Sequence, residues 1–265
     1  MRRLLFLLLL LPALLLSGSA FAFDDPALAT PAAQYLQLIR DGRDPAGQPA
    51  ATLIQQAEQQ ARQKNWTAAI AAYETAIAAA GQTATWLALS QVWQTQTEQQ
   101  KQADNSEAAT RSQDRARQAA WNAVQTARVP FERARALFRL GDLYDRAKEP
   151  KLTIAAWREA LELEDNPRIA KRYQELAEAN AFQIKGVEVE SDSATPNICL
   201  KFSDDLDKDR QLHYEDYLVI QPTVAMTVSA RERQLCIEGV RHGQSYTIKA
   251  RPGIPSAAGE KTRAA

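Results

Sequence analysis

The chain has 265 residues, of which 32 are basic and 32 are acidic, so its formal net charge is zero. A neutral balance provides no electrostatic footprint for nucleic acid or for an anionic membrane surface. Composition therefore excludes charge-driven binding to either partner, and the length allows one large domain or two small ones.

The first residues have the form of an export signal. Two arginines precede an almost unbroken apolar run over residues 4–16, and the small residues Ala20 and Ala22 follow it. This is the pattern that signal peptidase reads, and the run is too short for a membrane-spanning helix. The sequence predicts a signal peptide over residues 1–22, cleavage after Ala22 and a periplasmic mature protein.

Residues 23–49 are predicted to be an N-terminal extension of the next domain. The pair Thr30-Pro31 precedes apolar residues whose spacing predicts a short helix, packed on the first repeat as a cap. These apolar residues are Tyr35, Leu36, Leu38 and Ile39. The Gly and Pro content of residues 41–47 predicts a loop.

A helical repeat is clearest around residues 137–160. Its first helix has large residues, then a small one, then an aromatic, and its second helix has an aromatic and a small residue. The residues in question are Leu137, Leu140, Gly141, Tyr144, Trp157 and Ala160. This is the tetratricopeptide pattern, in which the small residue lets the two helices approach closely.

Two weaker copies share this phase and predict three repeats over residues 50–181, about the minimum for a stable stack. The first copy comprises Leu53, Ala57, Ala69, Tyr73 and Ala76, and the second Trp86, Leu89, Ser90, Trp93, Ala116, Ala120 and Ala123. The second copy carries an insertion of about 14 residues relative to the pattern of the others. Its polar stretch, residues 95–106, is predicted to extend a helix and then form a loop.

From Phe182 onward the apolar residues recur with a period of two. Short alternating segments lie around Val187, Leu200, Val219, Val228, Leu235 and Ile248, and Arg241–Gln244 is predicted to be a hairpin turn. This spacing predicts a small antiparallel β-sandwich over residues 182–265, with about six strands and no closing strand. The predicted fold class is therefore α+β and multi-domain, a helical array followed by a sandwich.

Two cysteines, Cys199 and Cys236, each lie in a short apolar run. One interpretation is two buried thiols on neighbouring strands. The other is a disulfide closing a loop of about 37 residues, worth roughly 3–4 kcal/mol in the chain-entropy model. Export favours the disulfide, and neither cysteine has the neighbouring Cys or His pair that a metal site needs.

The second half of the chain resembles the first macroglobulin domain of bacterial α2-macroglobulin-family proteins. The likeness rests on Gly186-Val187-Glu188-Val189-Glu190, Ile198-Cys199-Leu200-Lys201-Phe202, Asp216-Tyr217, Gln234-Leu235-Cys236-Ile237 and Pro252-Gly253-Ile254-Pro255. Members of that family are larger envelope proteins with a thioester domain, thought to trap proteases. The resemblance implies a non-catalytic N-terminal module of such a protein, because no Cys-Leu-Glu-Gln thioester motif occurs here.

No catalytic residue, cofactor or metal site is predicted. The sequence has no Gly-x-Ser-x-Gly elbow, phosphate-binding glycine loop or His-Glu-x-x-His, and its two histidines, His213 and His242, lie beside polar turn residues. The acidic run from Asp205 to Asp216 partly fits a calcium loop. Arg210 stands where such a loop needs Gly, which favours a solvated loop while leaving calcium as the alternative.

The repeat pattern indicates a partner-binding face, because stacked helix pairs form a curved surface that binds peptides. Polar first-helix residues are the candidates for that face: Gln56, Gln60, Gln63, Gln91, Gln94, Arg139 and Asp142. The expected partner is a protein or peptide of the cell envelope, including the rest of a macroglobulin-like chain. The alternatives are a free-standing periplasmic scaffold for envelope assembly and, ranked last, a hydrolase.

Overall fold

A computed structural model describes residues 23–209, 211–257 and 259–263. The predicted signal peptide lies outside these residues, as does Arg210. The chain divides into two compact units between Tyr173 and Gln174. Helices form the first unit and the second contains two antiparallel sheets, so the predicted α+β class is confirmed.

Eight helices occur within the described residues. They are α1 (Pro26–Gly42), α2 (Ala50–Arg62), α3 (Trp66–Ala79), α4 (Thr83–Gln102), α5 (Ser106–Thr126), α6 (Pro130–Arg146), α7 (Pro150–Leu163) and α8 (Pro167–Ala179). The most extensive helix packing joins α2 with α3, α4 with α5, and α6 with α7. The predicted array of helical repeats is therefore confirmed as three hairpins. None of the described helices is both long and apolar enough to cross a membrane.

The turn inside each hairpin has the same local structure. Lys64, Asp104 and Lys148 each adopt a left-handed backbone conformation, with φ of 60°, 53° and 58°. In each case the next backbone N–H donates to the carbonyl five residues earlier, for example from Asn65 to Gln60 at 2.9 Å. This is the Schellman arrangement that ends an α-helix and satisfies its last carbonyls. One turn, repeated three times, makes the three hairpins structural copies.

In the second hairpin, residues 95–106 begin by extending helix α4, as the sequence predicted, but the connection that follows is a tight turn and not a long loop. Helix α4 continues to Gln102 and α5 begins at Ser106, so the turn is as short as in the other hairpins. The extra residues lengthen both helices by about two turns each, at 3.6 residues per turn. Because each helix gains about a whole number of turns, the same faces of α4 and α5 stay in contact, and the added residues pack against each other.

Helix α1 contacts more than the first hairpin, where a cap was expected. It packs most extensively on α5 and also contacts α3. The Asn122 amide donates to the Ala32 carbonyl at 3.0 Å, and the Tyr35 hydroxyl donates to Glu74 at 2.7 Å. Phe23, just ahead of the helix, lies against Trp121 and hydrogen-bonds through its N–H to Glu159. Helix α1 and its N-terminal residues thus connect all three hairpins.

Two buried phenols at this interface make the stability of the helical unit fall at alkaline pH. Tyr35 donates to Glu74 and Tyr144 donates to Asp25, and burial, followed by the carboxylate partner, raises the pKa of both phenols above the usual 10. The folded state therefore keeps protons that the unfolded chain loses above about pH 10. This contribution to stability is complete below that pH and falls as the pH rises beyond it.

We expect the free energy of unfolding of the helical unit to fall between about pH 9 and pH 11. Urea titrations followed by tryptophan fluorescence measure it, because all five tryptophans lie between Trp66 and Trp157. The double variant Tyr35→Phe/Tyr144→Phe should show a shallower fall. An equally steep fall in the variant would assign the pH dependence to other groups.

The strands of the second unit form two antiparallel sheets. They are β1 (Ile184–Glu190), β2 (Asn197–Phe202), β3 (Leu218–Gln221), β4 (Thr227–Arg231), β5 (Gln234–Glu238) and β6 (Thr247–Ala250). One sheet has the order β1-β2-β5-β4, and the other pairs β3 with β6. Their facing sides enclose a core that includes Phe202, Leu235 and Ile237.

The connection from β5 to β6 is not a hairpin, although Arg241–Gln244 was predicted to be one. Gln244 does donate to the Arg241 carbonyl at 3.4 Å, so the turn exists. However, β6 pairs with β3, with Ile248 opposite Ile220. The connection therefore passes from one sheet to the other, which places Ile248 against the core instead of beside β5.

The predicted disulfide between Cys199 and Cys236 is confirmed. The two cysteines lie directly opposite each other in the β2–β5 pair. Side chains alternate along a strand, so the bridge lies on the face opposite to Leu200 and Leu235, which point into the core. The disulfide thus joins the two central strands of the larger sheet from outside the core.

Candidate functional site

A groove of about 600 Å³ runs between α4 and α6, the first helices of the second and third hairpins. The second helices, α5 and α7, pack against these two and hold them in place. The groove is lined by Thr83, Ala84, Leu87, Ala88, Gln91, Val129, Phe131, Glu132, Arg135 and Arg139. First-helix residues that no second helix covers thus form an open surface with apolar and cationic groups side by side.

The apolar part of the groove is unusually exposed. Phe131 is 54% exposed and Val129 is 51% exposed, on either side of Pro130, the first residue of α6. The guanidinium carbon of Arg135 lies 5.5 Å from the centroid of the Phe131 ring. This distance is within the range of a cation–π contact, so the aromatic ring and the positive charge are presented together.

Arg139 provides a second positive charge on the wall of the groove. Its Nε donates to Ser90 Oγ at 3.0 Å, one terminal nitrogen donates to the Ser90 carbonyl at 2.8 Å, and the other donates to Gln94 Oε1 at 2.5 Å. All three acceptors are neutral. Burial lowers the pKa of Arg139 to about 10, against the opposing effect of nearby Asp142. The guanidinium therefore stays charged at neutral pH, and its position is held by α4.

The structure brings Gln91 and Arg139 together in the groove. Two other candidates for the partner-binding face act as supports. Gln94 is only 8% exposed and orients Arg139, and Asp142 accepts a hydrogen bond from Arg172 of α8 at 3.2 Å. Their polar atoms are therefore occupied within the protein.

The remaining candidates lie on or just after α2, away from the groove. The Gln56 side chain makes a long hydrogen bond to the Gln48 side chain at 3.5 Å. The Gln60 side-chain oxygen accepts from the side-chain amide of Asn65 at 3.0 Å. Gln63 is exposed and follows the last residue of α2. Gln60 thus helps to form the turn of the first hairpin.

Sequence reasoning missed the residues that dominate the groove, namely Leu87, Val129, Phe131 and Arg135. A signal for two of them exists in the sequence. Val129 and Phe131 flank Pro130 ahead of the first buried position of α6, Ala134, so they are large apolar residues outside the packed stripe. Whether such residues pack or face solvent depends on the neighbouring hairpin, which a local pattern does not describe.

Three carboxylates of the acidic loop accept hydrogen bonds within the protein. Asp205 accepts from Arg233 at 3.1 Å, while Asp207 and Asp209 accept from backbone N–H groups two residues further on. Within the described part of the chain, no group of three His, Cys, Asp or Glu residues is placed to hold a metal ion. These carboxylates stabilise the turns of the loop.

Comparison with solved structures finds a likeness to a helical domain. The chain is similar to the N-terminal domain of stress-induced protein-1 (STI-1) from C. elegans, with 16% sequence identity and a TM-score of 0.41, over 52% of this chain and 96% of that one. No family model matches the chain, and no curated protein matches it. A likeness at this level carries no argument about function, which therefore has to come from the groove itself.

Proposed function

We propose that the protein is a non-catalytic interaction module whose groove between α4 and α6 binds an extended peptide segment. The observation that carries this proposal is the exposure of Phe131 and Val129 beside two arginines in one open groove. Aromatic residues, including Phe, and arginine are enriched at protein–protein interfaces relative to the rest of the surface. A single exposed apolar residue would need no explanation. A cluster of exposed apolar residues surrounded by polar ones in a groove marks an interaction site.

The chemistry of the groove specifies the segment that it would bind. An apolar side chain of the peptide would pack against Phe131 and Val129. A carboxylate of the peptide would pair with the exposed Arg135, because guanidinium groups bind carboxylates through two parallel hydrogen bonds, and Arg139 would add positive charge to the wall. One acid, Glu132, also lines the groove, and it accepts from the Arg128 N–H at 2.9 Å. The two arginines leave the groove with a net positive charge, which favours an acidic and apolar segment.

For the cellular context, we propose the periplasm and a macroglobulin-like parent protein. The signal-peptide pattern of residues 1–22 supports export, and the Cys199–Cys236 disulfide is typical of an oxidising compartment. The ordered motifs around both cysteines support the macroglobulin context. Fractionation of cells producing the full chain, with mass analysis of the N-terminus, tests export: we expect a periplasmic protein that begins at Phe23. Cytoplasmic protein that retains Met1 would contradict it.

Peptide binding is tested by selection from a displayed library of random peptides, followed by calorimetric titration of the selected peptides. We expect Phe131→Ser and Arg135→Gln each to weaken binding about tenfold, equivalent to roughly 1.4 kcal/mol. Leu38→Ser is the matched control, because Leu38 is similarly exposed but lies on α1. Selected peptides that bind the two groove variants as tightly as the original protein would place the binding site elsewhere.

A further inference from the structure

The inner face of the edge strand β1 is uncovered. Val187 pairs with Leu200 and Val189 pairs with Ile198 across the antiparallel β1–β2 ladder. Residues directly opposite in such a ladder project to the same face of the sheet. Leu200 and Ile198 belong to the buried core, so both valines lie on the core side. Nevertheless, Val187 is 59% exposed and Val189 is 60% exposed.

The sheet topology explains why these valines are exposed. Four strands face only two, because β3 and β6 are the only described strands in the second sheet. The order β1-β2-β5-β4 opposite β3-β6 matches a seven-stranded sandwich in which the first, second, fifth and fourth strands form one sheet. In that arrangement the third, sixth and seventh strands form the other. A seventh strand would lie beside β6 and opposite β1.

The path of the chain after β6 leads toward this place. Residues 253–257 and 259–262 pair as two short arms, in which the Gly253 N–H donates to the Thr262 carbonyl at 2.8 Å and the Thr262 N–H donates to the Ile254 carbonyl at 2.9 Å, and we call this segment a hairpin. Its returning arm ends in a cavity of about 250 Å³. Thr262 and Arg263 line that cavity together with Ala250 at the end of β6 and Ile184 at the start of β1.

We propose that this sandwich accepts a seventh strand that enters at Arg263, runs antiparallel along β6 and covers Val187 and Val189. The strand starts at the Ala250 end of β6, so its direction follows that of β1. Its inward side chains are apolar and alternate with outward polar ones, because one face meets the valines and the other meets solvent. The occupant that fits is a strand joined in cis after Arg263, since the hairpin brings Thr262 and Arg263 to the point where it begins.

The test extends the full chain after Ala265 with an eight-residue strand of alternating Thr and Val. The control extension has the same length, with every Val replaced by Ser. Hydrogen exchange of the β6 amides is measured in the extended proteins and in the original chain. We expect at least tenfold slower exchange at Thr247–Ala250 with the Thr-Val extension and no change with the Thr-Ser extension.

A second variant connects the effect to the uncovered face. In the extended protein, Val187→Lys should restore the original rate of hydrogen exchange in β6. In the original chain the same substitution should leave that rate unchanged, because Val187 is exposed there. Unchanged β6 exchange in the Thr-Val protein would overturn the proposal. Slower exchange that survives Val187→Lys, or that appears only in a dimer detected by sedimentation, would also overturn it. The last result would show that the strand pairs with a second copy instead of in cis.

Discussion

Gly141→Ala should destabilise the helical unit by about 3 kcal/mol, the upper part of the range for overpacking a core. A Cβ at position 141 would lie well under 3.0 Å from Cδ1 and Nε1 of Trp157. Trp157 is only 1% exposed, so its indole is enclosed by other residues and cannot move out into solvent. Relieving the clash requires α6 and α7 to separate, which disturbs the packing of the whole third hairpin.

Urea denaturation followed by tryptophan fluorescence measures this effect directly, because the five tryptophans are confined to the helical unit. Gly42→Ala is the matched control. Gly42 is the last residue of α1, and a Cβ there would meet no atom within 4 Å. The control should change stability by no more than about 0.5 kcal/mol. Equal midpoints for Gly141→Ala and Gly42→Ala would show that the α6–α7 contact is looser than described.

Removal of the disulfide should destabilise the sandwich by about 4 kcal/mol, because the bridge closes a long loop in the unfolded chain. Cys199 and Cys236 are 37 positions apart in sequence, and they join the two central strands of the four-stranded sheet. The double variant Cys199→Ala/Cys236→Ala frees this loop when the unit unfolds. The tryptophan-reported transition of the helical unit should stay where it is, since both cysteines belong to the other unit.

Hydrogen exchange of the β2 and β5 amides in increasing urea measures the stability of the sandwich separately from that of the helices. The original protein treated with a thiol reductant should reproduce the behaviour of the double alanine variant. The same reductant added to the double variant should have no effect, which controls for action on other groups. Unchanged protection of β2 and β5 after reduction would mean that packing alone holds the sheet together.

Features that depend on local spacing were predictable. The place of Gly141 beside Trp157 follows from the repeat pattern, since residues at fixed helical intervals share a face. The strand around Leu200 and the strand around Leu235 follow from alternation with a period of two. The pairing of Cys199 with Cys236 was predicted because the chain has only two cysteines and because its first residues predict export, although their register in the sheet was not.

Features that depend on distant partners were not predictable in the same way. Residues 95–106 were predicted to extend a helix and then form a loop, but α5 gives α4 a partner along its added turns, so only a short turn separates the two helices. Arg241–Gln244 has the composition of a hairpin turn, but the following strand pairs with β3. The exposure of Phe131 depends on the gap between α4 and α6, which no segment of sequence contains by itself.

The amino-acid sequence by itself determined the α+β class, the helical repeat with its close contact at Gly141, and the alternating strands. These features depend on interactions between residues a few positions apart, where backbone geometry sets the spacing. Only the tertiary structure decided the path of α1 across three hairpins, the groove beside Phe131 and the uncovered face at Val187. Each of these depends on which surfaces meet, and that is set by packing free energy summed over segments far apart in the chain.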